Sequence, residues 1–500
     1  MPFLSSEAVR SSRLLLDNRQ DPDEGDSFLT GPNYRIAEGV CGDVNGDGTA
    51  NITDAVVIVR YLFEMAAPPE NLEDADVNFD GQITITDAVQ LVNYIFSNYP
   101  GPCSPLQVGT VYVVAALDTE PMNLSGYPYS QTLTLSNYSR VGSSVMMGIM
   151  NPLYRARYVD SYGGKLKLTF YLMSSESICQ SDRGCNAIYT AMKQFAPEVS
   201  AYGDELAWHL HNTAWCTLGQ GYFDSSWSQI ITFNGTDYGY SKDVEAAEKM
   251  LSQLLIEEGF FPTDYRAGWV WENNDFSNWL DDVMPFDFSN LAPLGSPTPP
   301  PSNVFWNYYD WSRAPRGWHT YHPSRDDYQV QGGLKRSMFY CSCCGLNGGD
   351  FENAFQRAAQ GENVYLCLYG HTYTNLDNFF NMNWQGTLVQ RSIEYNVPFK
   401  FATAREAACA VLGRPINTVA PALTLEQRGN SIEIRVDREI YQWLPYCAVK
   451  ENGQYRRVIP QRTGDRVWTC DTTGLSQFEF AVGVCDTSGR AATAKLVRTN

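Results

Sequence analysis

Two stretches of this 500-residue chain spell nearly the same thing thirty-three residues apart, DVNGDGTANITD at 43–54 and DVNFDGQITITD at 76–87. Each precedes an apolar, helix-like run, Ala55–Phe63 and Ala88–Phe96. Counted from the first Asp, oxygen-bearing side chains fall at loop positions 1, 3, 5, 9 and 12. These are Asp43, Asn45, Asp47, Asn51 and Asp54, then Asp76, Asn78, Asp80, Thr84 and Asp87. Gly48 and Gly81 stand at position 6, where such a loop turns sharply. Hard oxygen donors at this spacing suit Ca²⁺, which takes six or more oxygens at about 2.3–2.6 Å, so two Ca²⁺ ions are expected. The plainer alternative is a pair of Asx-rich turns, with Asp54 and Asp87 as helix N-caps.

Position 12 is Asp rather than the Glu of the ordinary EF-hand, and Gly39-Val-Cys-Gly42 cannot form a preceding helix. A loop plus exiting helix, in tandem and closed by Asp, resembles the type I dockerin, a module that docks onto cohesin-bearing scaffolds. The resemblance covers about residues 41–103 and implies a cohesin module as partner. The residues before the last ligand, Ile52-Thr53 and Ile85-Thr86, would then face that partner. Because both copies match, the resemblance implies two equivalent docking orientations.

A chain of this length holds more than one ordinary domain. Its net charge of −20 argues against a nucleic-acid polyanion as partner, and no apolar run of about 20 residues is present to span a membrane. Thirteen cysteines suggest disulfides in an exported protein, with Cys41/Cys103, Cys179/Cys185 and the group Cys447, Cys470, Cys485 as candidates. Cys341-Ser-Cys343-Cys344 admits zinc or disulfide readings. The start, MPFLSSEAVRSSRLLLDNRQ, shows only a Leu14–Leu16 patch and no signal-type apolar region. The expected location is nonetheless extracellular or cell-surface.

Four regions are expected: a flexible leader at 1–38, the repeat module at 39–103, an α/β domain at 108–415 and a β-sandwich at 418–500. Apolar strand-like runs (Val108–Leu117, Lys165–Met173, Glu205–His211, Asn363–Tyr369) alternate with helical ones (Ala187–Phe195, Ser241–Glu258), which implies a parallel sheet or (β/α) barrel. Pro293–Pro301 reads as a loop within that domain. From about Thr418 the short runs SIEIRV, YCAVKE, FEFAVGV and ATAKLV read as a β-sandwich of the Ig or fibronectin sort, serving as spacer, sugar binder or core support.

Chemistry collects at strand ends. Asp118-Thr-Glu120 puts two carboxylates on one face, and His209-Leu-His211 puts two imidazoles on one face with Trp208 and Leu210 on the other. Arg266 follows the longest helix, and His371 ends the last strand-like run. Two imidazoles and a carboxylate make a divalent-metal site with a position left for water, while a second carboxylate serves as base and a further histidine as acid. Only five histidines occur in the chain, and three hold such positions. His319 and His322 form a competing pair, read as a substrate-facing loop or a surface turn.

LDTEP (117–121), KLKLTFYLM (165–173), GDELAWHLHN (203–212), YRAGW (265–269), YGH (369–371) and PFKFATAREAA (398–408) occur in an order that resembles the NodB-type polysaccharide deacetylases, carbohydrate esterase 4. The resemblance spans about 108–412 and implies an incomplete (β/α) barrel. It further implies Asp118 as base, Arg266 as its orienting partner, His371 as acid, and Glu120, His209 and His211 as ligands of zinc or another divalent metal. The family's Asp-Asp is replaced here by Asp-Thr-Glu, and its His-x-x-x-His by His-x-His, with Thr213 four residues past His209. The expected function is a cellulosome-type hydrolase removing acetyl groups from a polysaccharide. Alternatives are a glycosidase on a similar barrel, using Asp118 with Glu272 or Asp275, or a non-catalytic, carbohydrate-binding scaffold component.

Overall fold

A computed structural model describes residues 41–64, 72–77, 83–97, 108–120, 144–175, 186–211, 213–216, 221–224, 230–233, 236–240, 243–293, 310–343, 346–371 and 382–499. The expected leader at 1–38 lies outside these residues, as do Asn78, Asp80, Gly81, Cys103 and the Cys179/Cys185 pair. The chain divides into two compact units, 1–106 and 107–500.

The first unit is built on α1 (Ile52–Phe63) and α2 (Ile85–Ser97). Asn51, not Asp54, caps α1; Asp54 stands at the third helical position and completes a capping box. The repeat persists in the core. Val44, Ala55 and Ile58 from the first copy pack with Val77, Ala88 and Leu91 from the second, each pair offset by the sequence period. Cys41 is disulfide-bonded.

The second unit begins with a parallel barrel sheet. Its strands are β1 (Val111–Thr119), β2 (Thr169–Ser175) and β3 (Glu205–His211), followed by two hairpins, β4–β5 (Thr213–Cys216, Gly221–Asp224) and β6–β7 (Ile230–Phe233, Thr236–Tyr240). Then come β8 (Asp264–Ala267), β9 (Phe286–Asn290), β10 (Ser337–Tyr340), β11 (Ser342–Cys343), β12 (Val364–His371) and β13 (Phe399–Ala402). The order is β10-β9-β8-β3-β2-β1-β12-β11, with every pairing parallel. Since β10 and β11 are separated only by Cys341, one segment joins β9 on one side to β12 on the other, so the barrel is nearly closed. β13 pairs with the first half of β1 and β2 with its second half. The strands on either side of the proline-rich stretch, β9 and β10, are neighbours in this sheet.

β1 reads VYVVAALDT and is buried nearly throughout, as expected of a parallel strand covered on both faces. The helix Asp243–Glu258 buries Met250, Leu251, Leu254 and Leu255 and stops at Gly259, whose φ of +63° suits a left-handed C-cap. Thr403 and Glu406 form a capping box that starts the helix Ala404–Val411 directly after β13.

The remaining strands are β14 (Leu423–Arg428), β15 (Ser431–Val436), β16 (Tyr446–Glu451), β17 (Gln454–Val458), β18 (Gln461–Gly464), β19 (Val467–Asp471), β20 (Phe478–Cys485) and β21 (Ala491–Arg498). They form two antiparallel sheets, β14-β15-β19-β18 and β17-β16-β20-β21. Ile432, Ile434, Val449, Trp468, Phe480 and Val482 fill the space between them. The other face of the second sheet presents Tyr446, Ala448 and Ala481 to Leu251, Leu254 and Phe261, so this sheet is buried on both sides. Cys447, Cys470 and Cys485 are free, buried thiols, which corrects the expected disulfides; Cys447 and Cys470 sit in the apolar core between the sheets, and the Cys485 sulfur accepts from Gln442 Nε2 at 3.1 Å. Cys341 is likewise a free thiol, with its Sγ 3.0 Å from that of Cys367.

Candidate functional site

The carboxyl end of the barrel gathers the residues that chemistry singled out. In the strand register Asp118 lies beside His371 and His209 beside Arg266. Asp118, at the end of β1, and Glu120, just past it, share a face because side chains alternate along a strand. The same alternation puts His209 and His211 together, while Trp208 and Leu210 turn outward to the core under the helix Asp243–Glu258.

Glu120 Oε1 stands 3.3 Å from His209 Nε2 and 3.2 Å from His211 Nε2, and the two Nε2 atoms are 3.0 Å apart. His209 Nδ1 is 2.8 Å from the Arg266 carbonyl oxygen. A carbonyl only accepts, so Nδ1 carries the proton and donates, leaving the Nε2 lone pair aimed at the Glu120 carboxylate. Two acceptors facing each other in a buried site repel unless a cation lies between them. Three donors 3.0–3.3 Å apart also come close to the ligand spacing of a tetrahedral ion with bonds of about 2.0–2.2 Å. The donor set therefore fits a divalent metal, with Glu120, His209 and His211 as its ligands.

Asp118, Glu120 and His371 form an overlapping group. Within it, Asp118 Oδ1 is taken by Arg266 Nε at 2.7 Å, so the guanidinium already balances its charge. Burial alone would raise the Asp118 carboxyl, but the Arg266 charge outweighs it and holds the group below its ordinary value. Burial opposes ionisation of Glu120 as well, but the two imidazoles set against its carboxylate outweigh it and hold the group well below the usual range. Asp118 Oδ2 remains 3.9 Å from His209 Nε2. His371 Nε2 lies 3.9 Å from Glu120 Oε1 with 32% of its side chain exposed, whereas Asp118, Glu120, His209, His211 and Arg266 are at most 4% exposed. His371 thus marks the open side.

Two supporting residues had no assigned role in the sequence. The Arg266 guanidinium carbon sits 3.4 Å from the centre of the Tyr369 ring, a cation–π contact that holds the guanidinium beside Asp118. Gly268 backs His211: a Cβ there would come within 2.4 Å of His211 Cδ2 and 2.6 Å of the Leu210 carbonyl oxygen. YGH and RAG placed both residues beside a functional neighbour, but neither spacing reveals a contact between β8 and β12.

The rival carboxylates lie elsewhere. Glu272 joins Arg336, Asp287 and Ser277 in a buried cluster, with Arg336 Nη2 2.7 Å from Glu272 Oε1. Asp275 is in the first turn of the helix Asn274–Asp281. His322 Nδ1 donates to the Arg336 carbonyl at 3.0 Å, and neither His319 nor His322 belongs to the donor set.

In the first unit, Asp43 accepts from the backbone amides of Asp47 and Gly48 at 2.9 and 2.7 Å. Asp54 accepts from those of Asn45 and Asn51 at 2.9 and 2.8 Å. Thr84 N to Asp87 Oδ2 repeats the last contact at 2.8 Å. Gly48 has φ +92°, as a sharp turn at loop position 6 requires. Asp54 and Asp87 are fully buried carboxylates at loop position 12, where a Ca²⁺-binding loop places its last ligand. A type I dockerin profile matches residues 41–96. That stretch is a type I dockerin domain.

The dockerin exposes Ile52, Val56 and Phe63 on α1 and, at the same offset, Ile85, Val89 and Phe96 on α2. It is similar to a solved complex of the third cohesin ScaC with the ScaB dockerin of Acetivibrio cellulolyticus, with 31% identity, 13% of this chain and 92% of that chain covered, and TM-score 0.13. The chain also has a likeness to a Cellulomonas fimi endo-beta-1,4-mannanase double mutant (10% identity, 77% of this chain and 93% of that chain, TM-score 0.24). Another is to an alpha-L-fucosidase (9% identity, 78% and 96%, TM-score 0.22). Likenesses at these scores carry no argument about fold or chemistry. No curated protein matches the chain.

Proposed function

We propose that the dockerin holds this chain on a cohesin-bearing scaffold and that residues 107–500 are a metal-dependent hydrolase removing acetyl groups from a polysaccharide. The observation that carries the second half is the pairing of a tautomer-fixed His209 with Glu120 and His211, beside an Asp118 oriented by Arg266. Glu120, His209 and His211 would hold a divalent ion, which when bound would supply Lewis-acid polarisation of the acyl carbonyl. Asp118 takes the proton from the attacking water through Oδ2, while Oδ1 stays with Arg266. His371, on the open side, returns a proton to the departing sugar oxygen or nitrogen, so acetate and the free sugar group are the products. Burial of the remaining residues keeps bulk water from competing for the same hydrogen bonds.

The 33-residue symmetry supports docking through either helix. Ile52-Thr53 and Ile85-Thr86 head two equivalent apolar stripes, as a partner approached in two orientations requires. Such a module joined to a glycan-acting unit belongs with an exported, scaffold-borne assembly. No helix among the described residues is long and apolar enough to cross a membrane.

The test is acetate release from acetylated xylan or chitin oligomers by the full chain and by Asp118→Asn. The expected loss is 10²-fold or more for a general base. Equal rates in the two proteins would refute the assignment of Asp118.

A further inference from the structure

The opposite end of the barrel carries a groove of about 760 Å³, inside the roughly 300–1,000 Å³ of ordinary ligand sites. Tyr162, Lys165, Glu198, Tyr202 and Lys400 line it. Lys400 lies beside Tyr112 near the start of β1, six residues before Asp118, or roughly 20 Å along the strand. The groove and the metal centre are therefore separate places.

Its wall is held firmly. Asp160 accepts from the amides of Tyr162 and Gly164 at 2.9 and 2.7 Å, and from the amide of Phe401 on β13 at 3.1 Å. The Tyr162 hydroxyl lies 3.2 Å from Thr110 Oγ1, yet the residue is 62% exposed, so a fixed ring faces solvent.

The charges divide into satisfied and unsatisfied ones. Lys167 is paired with Glu406 at 2.6 Å. Lys165 and Lys400 have no ion pair among the described residues, although the chain carries a net charge of −20. Glu198 lines the same groove. Two free ammonium groups call for an anion, and a carboxylate lining the groove calls for a hydroxyl donor. An exposed tyrosine ring suits the apolar face of a sugar.

We propose that this groove binds a uronate-bearing segment of an acidic polysaccharide. The sugar carboxylate meets Lys165 and Lys400, a ring hydroxyl donates to Glu198, and a pyranose face rests on Tyr162. A small inorganic anion satisfies the lysines but brings no pyranose face for Tyr162 and no ring hydroxyl for Glu198. The inference rests on reading residues 107–500 as a carbohydrate-acting unit and gives that unit a second hold on its substrate.

The test is calorimetric titration of the full chain at low salt with tetragalacturonate, with xylotetraose and inorganic phosphate as comparison ligands. Binding of tetragalacturonate is expected, at least tenfold tighter than either comparison. Lys165→Ser/Lys400→Ser and Tyr162→Ala, all at exposed or half-exposed positions, are each expected to weaken it at least tenfold, while His209→Ala leaves it unchanged. Absence of binding, unchanged affinity in the lysine double variant, or equal affinity for phosphate would overturn the proposal. Loss in His209→Ala with retention in the lysine variant would also overturn it, by moving the sugar to the metal centre and leaving the hydrolase reading intact. Loss in the lysine variant from a wild type that releases no acetate would uphold the groove while the deacetylase reading fails.

Discussion

A single hydrogen bond sets the character of the barrel site. The Arg266 carbonyl fixes the His209 proton on Nδ1, and the same Arg266 side chain aims Asp118, so one residue positions both the proposed metal ligand and the proposed base. The two His-x-His imidazoles and the Asp-x-Glu carboxylates were legible in the sequence because a strand repeats every two residues. Tyr369 and Gly268 were not, because stacking across the barrel and close approach behind His211 depend on tertiary placement. Gly268→Ala tests this reading: its Cβ meets the fixed Leu210 backbone as well as the imidazole, so His211 must move. Affinity for the divalent metal, measured by chelator competition, is expected to fall about 10–100-fold, as for other residues that support a ligand. The Glu272 cluster yields a pH prediction. Burial pushes that carboxyl up to about 7 against the opposing Arg336 charge, from an ordinary value of 4.5. Between those values the folded chain holds the extra proton, so this group's contribution to stability falls as pH rises from about 4.5 to about 7 and is level above. Glu272→Gln should remove a slope of up to about 1.4 kcal/mol per pH unit from urea-unfolding free energies across that window, and an unchanged slope would refute it.

Elements with a strict period were the easiest to read. The thirty-three-residue repeat located both dockerin helices, and β3 runs Glu205–His211 as expected. Alternation was less faithful in the C-terminal sheets. FEFAVGV contributes Phe480 and Val482 to the sandwich interior and Ala481 to the barrel side, so β20 is buried on both faces. The short strands β9, β10 and β11 escaped notice because runs of five residues or fewer carry little periodicity. At this scale the dockerin symmetry makes a distinct claim. Ile52→Asp or Ile85→Asp alone should leave cohesin affinity nearly intact, because the other stripe still docks. The double variant should lose it by several orders of magnitude in surface-binding assays. A full loss in either single variant would contradict two equivalent faces.

Across the whole second unit, the barrel and the sandwich share a core. Tyr446 and Ala448 pack with Leu251, Leu254 and Phe261, and Gly483 lies so close to Phe261 that a Cβ would come within 2.4 Å of its ring. Thr263 donates to the Gly489 carbonyl at 2.9 Å and Gln442 to that of Val283 at 2.8 Å. Of the three expected roles for the sandwich, core support is the one this contact favours. Its composition revealed the sheets but not the surface they cover, since Tyr and Ala on an outward face resemble ordinary exposure. A chain ending at residue 417 should therefore be insoluble, or melt well below the intact 107–500 unit. Equal melting temperatures would show the sandwich to be a mere spacer.

The central claim is that Glu120, His209 and His211 hold a divalent ion, and elemental analysis of the full chain tests it most directly. With calcium counted separately, one transition-metal ion per chain is expected in the wild type, falling to near zero in His209→Ala and in His211→Ala with the dockerin calcium unchanged. A wild type that stays free of transition metal after incubation with zinc, or alanine variants that keep a full equivalent, would contradict the account.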